Sequence, residues 1–267
     1  MHKMESVFKI NENIYRTTVP YKDIFTTIYL ISGKEGFILF DCASFDSDTE
    51  EYIRPFLESV GVNENNLKYV FISHNHIDHA GGLQGFLKLY PNVTVLTRSE
   101  SLKDSLSGYN VIAPEDGDIL MNDFKVVAIP GHTPDSAGIF DTRTNTLISG
   151  DSLQLYGIFG SQDWASNISM PVEHFERIKA LREMDIDAIL TAHDYHPYGY
   201  RADGKDEVKK FLDASEEPLY KLRDIILKNP DADDEKIREI YNNSDKIPTI
   251  SARVVAAIRE ATLSGKM

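Results

Sequence analysis

The chain has 267 residues, of which 42% are hydrophobic, and this is enough to bury one large core or two unequal ones. Its formal net charge of −14 disfavours a nucleic-acid partner, because a negatively charged surface repels phosphate groups. The single cysteine, Cys42, excludes an intramolecular disulfide and a metal site built from cysteines alone.

The first third of the chain alternates short runs of β-branched and aromatic residues with turn signals, a pattern that predicts strands. Apolar residues at helical spacing predict an amphipathic helix over residues 48–60, which Pro55 should bend. A helix over 83–89 follows. The predicted strands cover residues 7–10, 14–17, 26–31, 37–40 and 67–72.

The middle of the chain continues with strands and one long helix, predicted over residues 172–184. Strands interleaved with helices in this way indicate sheets covered by helices, an α/β architecture. The predicted strands cover residues 93–96, 124–129, 137–140, 146–149 and 188–191.

The strand signal ends near Lys205, and the remaining sequence predicts three helices, over residues 205–228, 233–242 and 250–263. Pro218 should kink or split the first of them. We therefore expect a main domain over 1–204 and a C-terminal helical extension over 205–267.

Four metal-ligand residues follow the predicted strand over 67–72 within six positions: His74, His76, Asp78 and His79. Such a group makes a poor hydrophobic core, since polar groups buried without partners cost several kcal/mol. Imidazole nitrogens and carboxylate oxygens are, however, the donors that Zn²⁺ and similar cations prefer. The sequence therefore predicts a metal-binding loop.

Three more residues of the same kind lie where other predicted strands end. His132 follows Gly131 after the strand over 124–129, Asp151 follows the strand over 146–149, and His193 follows the strand over 188–191. Loops at strand ends are where a rigid scaffold presents chemical groups. We expect these side chains to act together with the first four.

The seven residues together resemble the metallo-β-lactamase-fold hydrolase superfamily. Its pattern is His-x-His-x-Asp-His, then a Gly-His turn, then an Asp after a strand, then a final His. The resemblance covers about residues 7–200 and implies an αββα sandwich with two metal ions at one edge. By position, the implied roles are His74, His76 and His132 for the first metal, Asp78, His79 and His193 for the second, and Asp151 as the bridge.

This ligand set predicts an enzyme, a metal-dependent hydrolase. Two neighbouring cations can share a bridging hydroxide whose pKa is lowered toward neutrality, and they can stabilise the developing oxyanion. Asp78 is the candidate catalytic residue that orients the hydroxide or passes a proton to the leaving group. Asp41, at the end of a predicted strand, is a candidate hydrogen-bond partner for a ligand histidine. We expect two divalent ions, Zn²⁺ first, with Mn²⁺ or Fe²⁺ as alternatives.

Departures from known subfamilies narrow the expected substrate to a small ester, thioester or lactone. Glyoxalase-II-like thioesterases carry a Lys or Arg shortly after the bridging Asp to hold glutathione, but residues 154–160 contain no cation. Homoserine-lactone lactonases carry a Tyr where this chain has Gln154. The loop over 157–171 is rich in large apolar residues, which favours a substrate with an apolar portion. Four aromatic residues could line the substrate pocket or pack in the core: Tyr156, Phe159, Trp164 and Tyr195.

Two other reactions stay open on the same fold: a mononuclear-iron persulfide dioxygenase, and a phosphodiesterase or nuclease. A binding scaffold without catalysis is a third reading, which the complete ligand set disfavours. The N-terminal residues lack an apolar stretch typical of a signal peptide, and no run approaches the roughly 18 apolar residues of a membrane span. We therefore expect a cytoplasmic protein without membrane contact, and a homodimer stays open.

Overall fold

The computed structural model describes residues 8–244 and 248–267, so Val7 of the first predicted strand lies outside the described residues, as does the rest of the N-terminal segment. The chain divides into two compact units, residues 1–126 and 127–267. In the described part of the chain, no helix is long and apolar enough to cross a membrane.

The first unit is built on a sheet whose strands follow one another in sequence order. The first four strands pair antiparallel as a meander, and the last four pair parallel. The strands are β1 Phe8–Lys9, β2 Ile14–Tyr21, β3 Ile24–Gly33, β4 Gly36–Phe40, β5 Leu67–Ile72, β6 Thr94–Thr97 and β7 Val111–Ile112.

The register of the parallel strands determines where the predicted ligands emerge. Phe40 at the end of β4 pairs with Phe71 near the end of β5, so the residues that follow both strands leave the sheet at one edge. Asp41 and the metal-binding loop are therefore neighbours, although about thirty positions of sequence separate them.

Short helices cover this sheet. Their apolar residues Phe56 and Phe86 pack with Leu39 and Val70 of the strands in one buried cluster. The predicted helix over 48–60 begins two residues earlier and contains a π-helical turn, Thr49–Ile53, immediately before Pro55. The helices are α1 Asp46–Asp48, α2 Arg54–Ser59, α3 Ile77–Ala80, α4 Leu83–Leu89 and α5 Glu100–Ser105.

The second sheet has the order β13-β12-β11-β10-β9-β8. Strands β11 and β12 pair parallel, so the residues that follow β11 and those near the end of β12 meet at one edge. The helix α6, Pro171–Arg182, connects these two strands. The strands are β8 Ile119–Leu120, β9 Phe124–Ala128, β10 Ala137–Asp141, β11 Thr146–Ile148, β12 Ala188–Tyr195 and β13 Gly199–Asp203.

Three helices end the chain, as the sequence predicts: α7 Lys205–Lys228, α8 Asp234–Ser244 and α9 Ala252–Leu263. Pro218 does not split α7, although proline lacks the N–H of a regular helical residue. Ala214, Leu219 and Leu222, on either side of the proline, are buried and hold the helix in place. The apolar faces of the three helices form a cluster with Ala165 and Ile168 of the preceding loop. The domain boundary at residue 204 stays a prediction.

Candidate metal centre

The loop after β5 brings the four predicted ligands of the first unit together. His74 is buried, and its Nε2 lies 2.9 Å from Nδ1 of the half-buried His76. The chain then enters α3, whose first turn buries Asp78 and His79 with His79 Nε2 3.4 Å from Asp78 Oδ2. The exposed residues Asn75 and Ile77 alternate with the predicted ligands, so the turn directs the predicted ligand side chains toward the interior and their neighbours toward solvent.

Asp41 is the hydrogen-bond partner of a predicted ligand, as expected from its position. Its Oδ2 lies 2.7 Å from His79 Nδ1, and its two oxygens also accept the Ser73 backbone N–H at 2.7 Å and the Ser73 hydroxyl at 2.9 Å. Burial raises the pKa of Asp41, while the neighbouring His79 and Ser73 lower it. A carboxylate only accepts, so His79 carries its proton on Nδ1, and its Nε2 has the lone pair that a metal ion would need.

Thr26 contacts the candidate catalytic residue and was not predicted from the sequence. It is buried on β3, and its hydroxyl donates to Asp78 Oδ2 at 3.2 Å. Nothing in the strand pattern around Thr26 distinguishes it from its neighbours, because the contact joins residues that are far apart in sequence. Ser73, which directly precedes the motif, could have been suspected from its position alone.

In the second unit, Asp151 lies between the two predicted histidine ligands. His193 Nε2 is 3.3 Å from Asp151 Oδ1, and His132 Nε2 is 3.8 Å from Asp151 Oδ2. All three side chains are buried. The sequence placed His193 after a strand that ends at residue 191, whereas β12 continues to Tyr195 and His193 lies inside it, where the pairing with β13 shifts register.

The Gly-His turn depends on its glycine. Gly131 has φ +155°, and a Cβ there would lie 2.9 Å from the ring of His174 on α6. His132 Nδ1 lies 2.8 Å from the Asn167 carbonyl, which can only accept, so Nδ1 carries the proton and Nε2 has the lone pair that a metal ion would need. The turn therefore fixes both the direction and the tautomer of His132.

The donor atoms fit a divalent metal. Each of the seven predicted ligands has a donor atom within 3.8 Å of another predicted ligand of its own unit. Imidazole nitrogen and carboxylate oxygen suit Zn²⁺, Mn²⁺ and Fe²⁺. Two of the histidines have the outer hydrogen-bond partner that metal-binding histidines usually have, a carboxylate for His79 and a backbone carbonyl for His132.

The four aromatic residues that could line a pocket have different environments. Tyr195 is fully buried, and Tyr156 donates its hydroxyl to Glu217 on α7 at 2.5 Å. Trp164 is half-buried. Phe159 is 41% exposed, and its ring centroid lies 3.7 Å from that of His196. Phe159 is thus the aromatic side chain of this group with the most surface available to a ligand.

Comparisons with known proteins agree with this fold. A family model described as the metallo-beta-lactamase superfamily matches residues 21–201. A hydroxyacylglutathione hydrolase from Francisella tularensis subsp. holarctica is 28% identical over 174 residues, which cover 62% of this chain and 62% of that protein. The chain thus matches less than two thirds of the length of this relative.

Solved structures show the same fold at low sequence identity. A metallo-beta-lactamase family protein from Thermus thermophilus has a TM-score of 0.68 with 16% identity, over 96% of this chain and 95% of that chain. A flavodiiron protein from Giardia intestinalis has a TM-score of 0.63 with 17% identity, over 80% of this chain and 59% of that chain. These likenesses confirm the predicted α/β architecture of two sheets and covering helices.

Proposed function

Because the chain belongs to the metallo-β-lactamase superfamily, we propose that it is a dinuclear metal-dependent hydrolase of a small ester, thioester or lactone. The observation that carries the proposal is the loop of His74, His76, Asp78 and His79, whose ligand atoms converge while Asp41 holds the far side of His79. A hydrogen-bonded carboxylate behind a buried histidine is typical of a metal site.

Each proposed metal takes three ligands of its own and shares Asp151. The pair of cations, when bound, would supply a hydroxide nucleophile at neutral pH and polarise the substrate carbonyl. Zn²⁺ is the first candidate, since its preference for imidazole and carboxylate fits the donor set. The proposed ligands are His74, His76 and His132 for the first metal, and Asp78, His79 and His193 for the second.

The chain's own residues position the reacting groups. The Thr26 hydroxyl donates to Asp78 Oδ2 and so fixes the rotation of the carboxylate. Asp78 is then oriented to hold a proton and to deliver it to the leaving group. Asp41 keeps the His79 ring from rotating, because Asp41 is itself held by two hydrogen bonds from Ser73.

The substrate class rests on the relatives and on the loop after Asp151. The Francisella relative is named for the hydrolysis of an acylated glutathione, a thioester, which favours a thioester here. Residues 154–160 contain no cation to hold a glutathione carboxylate, so we propose a thioester or ester with a smaller or more apolar leaving group. Ile168 packs with the C-terminal helices, and the exposed Phe159 is the apolar contact that we propose for the substrate.

Metal analysis combined with a substrate panel tests this function. The purified full-length protein should contain two divalent ions per chain and should hydrolyse at least one of a set of esters, thioesters and lactones. Removal of the metals with a chelator should abolish the activity, and addition of Zn²⁺ should restore it. One iron per chain together with oxygen uptake on a persulfide would instead establish the dioxygenase reaction and refute hydrolysis.

Two single substitutions test the assigned site. His76→Ala and Asp151→Ala should each reduce hydrolysis by at least about a thousandfold, since the loss of a metal or of the metal spacing removes the nucleophile. Both variants should keep the fold, measured by circular dichroism. Asp104→Ala, at an exposed position of α5, is the matched control and should retain full activity. Full activity in either ligand variant would contradict the site.

A further inference from the structure

Gln154 has a buried carboxamide group whose polar atoms all have partners. Its Oε1 accepts the Asn167 backbone N–H at 2.9 Å, and its Nε2 donates to Asp151 Oδ2 at 3.3 Å and to the Tyr195 hydroxyl at 3.4 Å. The residue is 4% exposed and has a left-handed backbone with φ 49°. Burial of an amide costs free energy unless the amide is hydrogen-bonded, and a left-handed backbone persists where surrounding contacts hold it.

Through its hydrogen bond with Asn167, Gln154 also affects a second proposed ligand, His132. The same Asn167 residue gives its N–H to Gln154 and its carbonyl to His132 Nδ1, which lies 2.8 Å away. The position of that carbonyl decides which His132 nitrogen carries the proton and how the ring is oriented. One side chain therefore contacts the Asp151 carboxylate directly and holds the residue that orients His132.

We propose that Gln154 is a positioning residue for two metal ligands, Asp151 and His132. The inference rests on the proposed function, because it takes both residues as ligands of the same centre. A donor on Asp151 Oδ2 fixes the rotation of the carboxylate, so that Oδ1 stays toward His193 and Oδ2 toward His132. A neutral amide does this without placing beside Asp151 a positive charge that would compete with the metal for the carboxylate.

The alternative is that Gln154 only stabilises the loop. The two roles differ in what they change. A purely structural role would lower the stability of the metal-free protein and leave metal affinity and ligand geometry intact. A positioning role changes the metal affinity and the absorption spectrum of the bound ion, because the ligands lose their fixed orientation.

The test uses the full-length protein with Gln154→Met, which keeps the length of the side chain but removes its hydrogen bonds. Zn²⁺ affinity is measured by competition with a chromophoric chelator, ligand geometry by the visible spectrum of the Co²⁺-substituted protein, and stability by the melting temperature of the metal-free protein. We expect the affinity for at least one Zn²⁺ to fall by about 10-fold to 100-fold, with an altered Co²⁺ spectrum.

Gln162→Met is the matched control, because the Gln162 side chain is exposed and the hydrogen bonds of this residue with Thr249 use its backbone carbonyl. It should bind Zn²⁺ as the wild type does. Gln154→Asn keeps an amide but is too short to hold both partners, so it provides a second measurement if the Met variant does not fold. It should also bind Zn²⁺ more weakly.

Two results overturn the inference. Wild-type affinity and an unchanged Co²⁺ spectrum in Gln154→Met would do so, and so would a lower melting temperature as the sole effect. Wild-type Zn²⁺ affinity in Gln154→Asn would also overturn the inference. The failure of the proposed function is a separate result: in that case the wild-type protein itself would not bind two ions, whatever residue 154 is.

Discussion

His174 is a fully buried histidine on α6 whose protonation should make the stability of the protein depend on pH. Its Nε2 lies 3.2 Å from the Ser215 carbonyl and 3.1 Å from the Ser215 hydroxyl, and its ring packs against Gly131. Burial lowers the pKa of His174 from 6.5 to about 4, against an opposing effect of the hydrogen bond with the Ser215 carbonyl, and the nearby His132 lowers the pKa by a smaller amount. The histidine is therefore neutral in the folded protein at pH 7.

The sign and size of the effect follow from linkage. Because the pKa of His174 is depressed on folding, the unfolded chain binds the proton more readily, and stability is lost as the pH falls below about 6.5 toward 4. Between pH 7 and pH 5 the loss from this one group is about 2 kcal/mol. His174→Gln cannot be protonated in this range, so it should lack this part of the pH dependence.

Urea unfolding at pH 7 and pH 5 measures the effect. The free energy of unfolding of the wild type relative to His174→Gln should fall by about 2 kcal/mol between the two pH values. The proposed metal ligands are the same in both proteins, so their titration cancels in the difference. A difference that is the same at both pH values would refute the argument that His174 is buried in its neutral form.

Two further substitutions act on the partners of the proposed ligands. Asp41→Asn should weaken Zn²⁺ binding by about 10-fold to 100-fold, since the amide NH2 group can only donate and would face either the Ser73 N–H on one side or the donors of His79 and Ser73 on the other. Chelator competition measures this, and unchanged affinity would contradict the role of Asp41. Thr26→Val keeps the shape of the side chain but removes the hydrogen bond to Asp78, so kcat should fall about 5-fold while two metals stay bound. An unaltered kcat, or a loss of metal instead, would argue against orientation of Asp78 by Thr26.

The sequence could predict that most of the candidate ligand residues follow the ends of strands, whereas His193 lies inside β12. A run of apolar residues followed by His or Asp predicts a strand end, and parallel strands bring such ends to one edge. This reasoning predicted that Asp41 would contact a candidate ligand histidine, and the structure shows that this histidine is His79. It also predicted the long helices, because their apolar periodicity extends over several turns.

The contacts that orient the ligands could not be predicted in this way. Thr26 reaches Asp78 across 52 positions, and Gln154 holds Asn167 across 13, so neither pair leaves a periodic signal. Asp41 and Gln154 also have left-handed backbones, φ 67° and φ 49°, that local propensity does not favour outside glycine. Such conformations persist because the surrounding hydrogen bonds hold them. Local rules thus fail where long-range contacts dominate.

The cluster that joins Ala165 and Ile168 to the three C-terminal helices has a consequence for how this protein can diversify. The Gln162 carbonyl, in the same loop, accepts hydrogen bonds from Thr249 just before α9. A loop transplanted without these helices would expose the fully buried Ile168 and lose the anchor at Gln162. We therefore expect that an exchange of this loop between relatives preserves the fold when the three helices are exchanged with it.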